Sequence, residues 1–474
     1  MTTARRMVVV GGGMAGLAAA HRLVEHARTR GAAAEVLLLE AGDHLGGTIS
    51  TERRDGFVIE GGPDSILTEK PWAVDLCRRI GFAERLVGTR DGERRTYVVH
   101  RGRLLPLPEG FLLMAPTDLG ALAASPLFSW RGKLRMALDL ILPRGRAVAD
   151  ESLASFVRRR LGREALERVA QPLVGGIYTA DPERLSLAAT MPRFRELERT
   201  HRSLVLGLRA QAAAPTRGGA GARYALFVAP ADGMGALVSA LAQRLPEGVV
   251  RLNAPVQALA RDTGHWHLQV GGEPLVADAL VLATPAYTAA ALLAPVDPQL
   301  AAALDGIDYA SSATVTLAYA AAGVPAGALR GFGFDVPAVE RSPLLACTYA
   351  SRKFPGRAPE GHELVRAFLG GALRPDVVDF DDQTLLALVR AELRALVGIT
   401  AAPGLTRIHR YRRAMPQYAV GHLDRIAAIE AHVGALPGLA LAGAAYRGVG
   451  IPDCVRSGEA AADAMASAVG GEPG

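Results

Sequence analysis

Apolar residues recur along this chain in two periods. Met7-Val8-Val9-Val10, behind Arg5-Arg6, is an unbroken apolar run of the kind that forms a strand buried on both faces. It stops at Gly11-Gly12-Gly13-Met14-Ala15-Gly16, after which alanines and leucines at helical spacing predict a helix. A second apolar run, Glu35 to Leu39, ends at Glu40, so a βαβ unit is predicted over roughly Arg6 to Glu40. From Asp150 to about Gly207 the pattern is mostly helical, with Asp150 or Ser152 able to cap the segment Leu153 to Leu161. Gly233-Met234-Gly235 precedes a predicted helix from Ala236 to Leu245. Val249 to Ala260 and Trp266 to Val270 read as strands around the turn Asp262-Thr263-Gly264. Another buried strand is predicted from Ala279 to Ala283, ending at Thr284-Pro285. Alternation over Ala313 to Tyr319 marks a strand-rich stretch from Ser312 to about Gly371. The tail repeats the opening pattern: a strand at Leu439 to Ala442, a glycine-rich loop from Gly443, and a closing helix from about Asp453. Both termini therefore belong to one unit, which the chain leaves and re-enters.

The order strand, Gly-x-Gly-x-x-Gly, helix, strand, acid is what a dinucleotide pyrophosphate needs. Gly11 allows the tight turn, Gly13 lets backbone approach the phosphates, and Gly16 lets helix and strand pack closely. The helix start offers its free amides and positive dipole end to the anion. Glu40 lies 24 residues beyond Gly16, near the usual spacing of about 20, where its carboxylate can bind ribose hydroxyls. Two further glycine turns follow, Leu45-Gly46-Gly47-Thr48 and Val58-Ile59-Glu60-Gly61-Gly62-Pro63-Asp64-Ser65. Continued backbone wrapping of an extended cofactor favours FAD over NAD.

Length and composition narrow this further. A chain of 474 residues exceeds one core, so two or three domains are expected. Half the residues are hydrophobic, yet no run approaches the ~20 apolar residues of a membrane-crossing helix. No signal peptide is expected ahead of the first strand, and the scattered Cys77, Cys347 and Cys454 suit a reducing cytoplasm. The net charge of +6 is modest and suits an acidic substrate or anionic lipid, and no motif supports nucleic acid. No Ser/His/Asp set, carboxylate pair or metal cluster stands out.

Several longer blocks then bear a resemblance. Gly62-Pro63-Asp64-Ser65 with Glu69-Lys70-Pro71, the run Gln171-Pro172-Leu173-Val174-Gly175-Gly176-Ile177-Tyr178-Thr179-Ala180-Asp181-Pro182-Glu183-Arg184-Leu185-Ser186, Gly331-Phe332-Gly333, Phe354 to Pro359, Pro416 to His422 and Arg447 to Cys454 occur in order. Together they resemble the flavin-containing amine oxidase superfamily and, within it, the oxygen-dependent protoporphyrinogen oxidase family. The resemblance implies an α/β (α+β) fold: a discontinuous Rossmann-like FAD-binding domain (1–88, 224–300, 430–474), an inserted mixed-sheet substrate domain (89–100, 301–429) and a helical subdomain (101–223) with a candidate membrane-binding surface. It implies FAD-dependent oxidation of protoporphyrinogen IX to protoporphyrin IX, with dioxygen as acceptor and hydrogen peroxide released. The alternatives are coproporphyrinogen III giving coproporphyrin III and, further off, another flavin amine oxidase, a carotenoid desaturase or a scaffold without flavin.

The same resemblance implies the site residues. Gly11, Gly12, Gly13, Met14, Ala15 and Gly16 would hold the pyrophosphate, Glu40 and Ala41 the ribose, and Val256 the adenine. Thr48, Gly62, Pro63, Asp64 and Ser65 would line the flavin side, and Val449, Gly450 and Ile451 would present amides to the isoalloxazine. No side chain is expected to be catalytic, since the flavin carries the redox chemistry. Phe332 and Phe368 would sandwich the macrocycle, the Gly176 carbonyl would orient a pyrrole N–H, and Arg95 would anchor a propionate, with Lys70 as second candidate. Asp335 departs from the aliphatic the family usually carries there, and an acid beside a propionate costs energy unless it is paired or turned away. Cys454 lies too far past the flavin loop, and Gly443-Ala444-Ala445-Tyr446 has no cysteine, so noncovalent FAD and no metal are expected. Expected partners are the porphyrinogen and dioxygen, with a homodimer as a candidate association. Apolar clusters at Leu104 to Pro108 and Phe111 to Met114, among Arg131, Lys133, Arg135, Arg144 and Arg146, suggest peripheral attachment to the cytoplasmic face of a membrane.

Overall fold

The computed structural model describes residues 5–30, 34–90, 95–112, 114–145, 149–213, 226–262 and 264–470. Arg5–Val10 is the centre of a five-stranded sheet whose order is Val250–Arg251, Ala34–Leu39, Arg5–Val10, Ala279–Leu282, Leu439–Leu441, all parallel. Strand order therefore reverses beside the first strand, which opens a crevice at the carboxyl ends of Arg5–Val10 and Ala279–Leu282. The helices Met14–Arg30 and Ile451–Gly470 pack together on one face, where an added carbon on Gly458 would lie 2.1 Å from the Ala15 carbonyl oxygen.

Val249 to Ala260 is not one strand, as the apolar pattern suggested, but two in different sheets. Asn253 takes the left-handed conformation (φ 52°) ahead of Pro255, so Val250–Arg251 pairs with Ala34–Leu39 while Val256–Arg261 pairs with Trp266–Val270. Thr263, in the turn expected between them, lies outside the described residues.

A second sheet has seven strands in the order Leu405–Pro416, Tyr309–Ala320, His362–Gly370, Leu344–Tyr349, Gly333–Asp335, Thr96–His100, Arg103–Pro106. Alternation gives it two unlike faces. Val315, Ala367, Cys347 and Phe334 point to a core shared with Leu385, Val389 and Leu393 of the helix Asp382–Val397. The other face looks toward the nucleotide sheet. Arg103–Pro106, which the sequence division placed with the helical segment, is the outer strand of this sheet, because its hairpin partner Thr96–His100 is there. Likewise, the divisions at 300/301 and 429/430 fall inside the helices Pro298–Asp305 and His422–Gly434.

Helices between Leu119 and Ala213 build a third core around Phe156, Val157, Leu166 and Leu197. Ser152 caps Leu153–Arg160 by accepting from the Ser155 amide, and Asp150 instead accepts from the Ser186 hydroxyl and the Gly421 amide.

Candidate functional site

The glycine turn sits at the crevice. Gly11 has φ 106°, and a Cβ there would lie 2.8 Å from the Ala283 carbonyl oxygen. At Gly16 the same carbon would be 1.8 Å from the Gly11 carbonyl oxygen. At Gly13 it would meet nothing within 4 Å. Two glycines are thus demanded by the fold, and the third faces open space where a ligand's phosphates can approach. Met14 and Ala15 are buried in the first helical turn. The Glu40 carboxylate accepts from the Gly12 amide at 2.6 Å and the Gly42 amide at 2.8 Å, and Ala41 beside it is exposed. The Ala254 amide bonds the Glu40 carbonyl at 2.8 Å, which brings half-buried Val256 to the same side. Thr284, across the crevice from Gly11, has a buried hydroxyl without a partner among the described residues. A helix start behind a glycine turn, an open glycine and an orphaned hydroxyl fit a dinucleotide cofactor.

The second glycine turn is gripped from the seven-stranded sheet. An added carbon on Gly62 would lie 1.7 Å from the Thr48 carbonyl oxygen, so the two segments touch through backbone. Arg366 is fully buried and donates to the carbonyls of Gly61 and, at 2.6 Å, Gly62. Lys353 Nζ lies 3.1 Å from both carboxylate oxygens of Asp64, which also accepts from the Ser65 hydroxyl at 2.7 Å. Burial alone would push the Asp64 carboxyl up, but Lys353 and Arg366 outweigh it and hold it at about 2. Around this turn the Arg366 Nε, His409 Nδ1 and Tyr411 hydroxyl are buried and unpartnered among the described residues. Burial, followed by the Arg366 charge, lowers His409, which keeps it neutral.

The last glycine loop is held by one ring. The Tyr418 hydroxyl donates to the Ala444 carbonyl (2.6 Å) and accepts from the Gly448 amide (2.7 Å). Its ring stacks on His422, with centroids 4.0 Å apart, and His422 Nε2 in turn meets the Tyr446 carbonyl. Asp453, buried in the first turn of Ile451–Gly470, packs against Gly448 and pairs with Lys70 at 2.6 Å. Lys70 is therefore committed to the cofactor loop and is withdrawn as a propionate anchor. Val449 packs against the helical core, and Gly450 and Ile451 lead directly into the helix.

The expected substrate residues separate. Phe368 lies on the sheet face toward the cofactor turn, beneath the Arg366 guanidinium at 4.8 Å. Gly176 is exposed on the helix Gln171–Tyr178, and a Cβ on it would lie 3.4 Å from Asp335 Oδ1, so Asp335 faces the site instead of turning away. Phe332 is half-buried ahead of its strand, its amide on the Arg95 carbonyl. Arg95 itself is exposed, with its guanidinium 3.5 Å from Glu109, a surface pair that does not mark it as the rim cation. Sequence reasoning missed Arg366, Lys353 and Tyr418. Arg366 had a signal, a charge set among the apolar residues Leu364, Val365, Ala367 and Phe368 of the strand His362–Gly370.

Residues 14–466 match the family described as flavin containing amine oxidoreductase. The chain is 34% identical to a coproporphyrinogen III oxidase of Bacillus subtilis, covering 96% of this chain and 97% of that one. It is 29% identical to the chloroplastic protoporphyrinogen oxidase of Nicotiana tabacum, over 94% and 83%. A crystal structure from Exiguobacterium, provisionally named a protoporphyrinogen oxidase, superposes with a TM-score of 0.87 at 32% identity, covering 98% and 99%.

Proposed function

The chain belongs to the flavin containing amine oxidoreductase family, and on that footing we propose that it is an FAD-dependent oxidase that converts a porphyrinogen to a porphyrin in haem biosynthesis. One arrangement carries this reading. The face of the seven-stranded sheet that holds Arg366 against Gly61 and Gly62 also carries Phe368 and Ala346, an apolar wall beside the flavin side of the cofactor turn. When bound, the flavin accepts hydride and passes both electrons to dioxygen, which leaves as hydrogen peroxide. The protein's part is to bind, orient and exclude water. The turn Gly11 to Gly16 takes the pyrophosphate against Gly13 and the first helical turn, and Glu40 exchanges its Gly12 and Gly42 bonds for ribose hydroxyls. The turn Gly62 to Ser65 and the amides of Val449 to Ile451 position the ring. Attachment is noncovalent: burial pushes the Cys454 thiol up to about 12, so it is no nucleophile. The described residues within 5–88, 226–305 and 422–470 then carry the cofactor, 309–416 with the hairpin Thr96–Pro106 the substrate wall, and the helices between Leu119 and Ala213 its cover.

Protoporphyrinogen IX, with two carboxylates, is the substrate the sequence blocks imply. Coproporphyrinogen III, with four, is the second reading, favoured because the Bacillus relative is more similar than the tobacco one (34% against 29% identity). Aerobic conversion of each porphyrinogen, followed by porphyrin fluorescence, decides between them. Failure to exceed spontaneous oxidation of either would overturn the proposal.

Peripheral membrane attachment is also proposed, through a surface that differs from the expected one. Phe111 stacks on Phe128 and Met114 is buried, so these two are spent on packing, while Leu113 lies outside the described residues. Instead Trp130 (72% exposed), Leu134 (67%), Leu138 and Ile141 (69%) form one ridge along the helix Trp130–Ala137 and its extension. Arg131 and Arg144 are exposed nearby, and Lys133 lies 4.7 Å over the Trp130 ring. Arg146 lies outside the described residues. No helix among the described residues is long and apolar enough to cross a membrane.

A further inference from the structure

Asp335 lies in the middle of the substrate sheet, where nothing in the fold requires an acid. In register it stands between Val98 on one neighbouring strand and Ala346 on the other, and Ala346 stands beside Phe368. Residues directly opposite one another project to the same face, so Val98, Asp335, Ala346 and Phe368 make one row. Phe334, the residue before, is turned into the helix-covered core with Cys347 and Tyr349. The Asp335 carboxylate therefore stands on the face that carries the apolar wall, 3.4 Å from where a side chain on Gly176 would begin.

No described charged group pairs with it. Arg366 is taken by the carbonyls of Gly61 and Gly62, and His100 lies 3.7 Å from Glu340. In the turn Leu166–Ala170, Glu167 pairs with Arg163 and Arg168 with Glu164. Tyr178, at the end of the Gly176 helix, bonds the Thr190 carbonyl. Asp335 is only partly covered, yet so much protein surrounds it that burial pushes its carboxyl up to about 7. An acid poised near neutrality can both take a proton and release it.

We propose that Asp335 is a catalytic residue of this site, whose carboxylate takes a pyrrole N–H proton as hydride leaves a macrocycle carbon. The proposal rests on the porphyrinogen reading. Over three two-electron steps the macrocycle loses four bridge C–H and two N–H hydrogens. A C–H hydrogen leaves as hydride in every step, and the accompanying proton comes from N–H in two steps and from a bridge carbon in the third. The electron pair of the broken N–H bond enters the new ring conjugation, and a bound flavin would supply the acceptor for the hydride, with dioxygen as final oxidant. Per cycle one hydride and one proton would balance dioxygen to hydrogen peroxide, and in the two N–H steps Asp335 would hold that proton. A carboxylate suits this task because the porphyrinogen core presents converging N–H donors, and an apolar wall alone would leave them unpaired.

The test compares wild type, Asp335→Asn and Asp335→Glu as flavin-loaded proteins. Flavin bleaching on anaerobic mixing with the porphyrinogen oxidised aerobically by wild type is followed across pH. The wild-type rate rises with pH through a midpoint near 7, Asp335→Asn is slower by about 100-fold and flat, and Asp335→Glu recovers the pH-dependent limb. Flavin content and porphyrin binding by fluorescence quenching stay at wild-type values in all three, and Tm at pH 4 is unchanged, which separates the chemical role from a structural one. An Asn variant that keeps the wild-type rate, or slows but keeps the same midpoint, overturns the assignment. So does an Asp335→Leu variant that is faster than wild type, since the acid would then be an obstacle. A wild-type protein that oxidises no porphyrinogen overturns the functional reading itself, whatever the variants do.

Discussion

Gly16 and Gly13 belong to one motif but answer to different forces. A methyl group on Gly16 collides with the Gly11 carbonyl oxygen, while one on Gly13 meets no protein atom within 4 Å. Gly16→Ala should therefore cost about 1–3 kcal/mol of stability and lose flavin, whereas Gly13→Ala should keep its Tm and lose flavin only. Thermal unfolding beside flavin absorbance checks both. Asp64 makes a pH-dependent prediction. Its folded pKa of about 2 lies below the ordinary 3.8, so the stabilisation from Lys353 and Arg366 is complete above about pH 4 and is lost as pH falls toward 2. Lys353→Met should cost about 2 kcal/mol at neutral pH, with the difference from wild type shrinking in Tm measurements below pH 4. Asp335 has the opposite sign. Its carboxyl is raised from 3.8 to about 7, so folding holds the proton longer and stability falls as pH rises across that window. Asp335→Asn should raise Tm at pH 8 and leave it unchanged at pH 4.

At the scale of elements, the loop 443–450 depends on a side chain from another segment. Removing the Tyr418 hydroxyl leaves the Gly448 amide and the Ala444 carbonyl without their partner, a loss of about 1–3 kcal/mol for buried groups. Tyr418→Phe should lower Tm and speed flavin release on dilution, and an unchanged release rate would show that the loop is held otherwise. The ridge on Trp130–Ala137 calls for its own measurement. The double variant Trp130→Ser with Leu134→Ser should abolish sedimentation with anionic phosphatidylglycerol vesicles while sparing oxidation of soluble substrate. Binding equal to wild type would sink the membrane proposal, and a dimer that the variant dissociates would show that a second copy covers the ridge. This ridge was only partly legible. Charge and apolar clustering located the region, but whether Phe111 or Leu134 faces solvent depends on which of them finds a buried partner.

At the scale of the molecule, the early apolar run, its glycines and Glu40 already named a dinucleotide site, because that motif works within about forty consecutive residues. Local periodicity likewise announced the return of the nucleotide unit at Ala279 and Leu439, and the longer blocks carried the family. The substrate wall was not legible in this way. Phe368, Asp335 and Gly176 come from three separate segments, and the face each side chain takes depends on strand register between residues far apart. Val249 to Ala260 shows the same limit, since one apolar run was divided between two sheets by a single left-handed residue. The sequence by itself determined the cofactor, the family and the parallel nucleotide sheet, all of which rest on short-range pattern. Tertiary structure alone decided that Lys70 serves Asp453, that Arg95 stands at the surface and that Asp335 faces Gly176, because charge pairing and side-chain direction are set by what folding brings alongside.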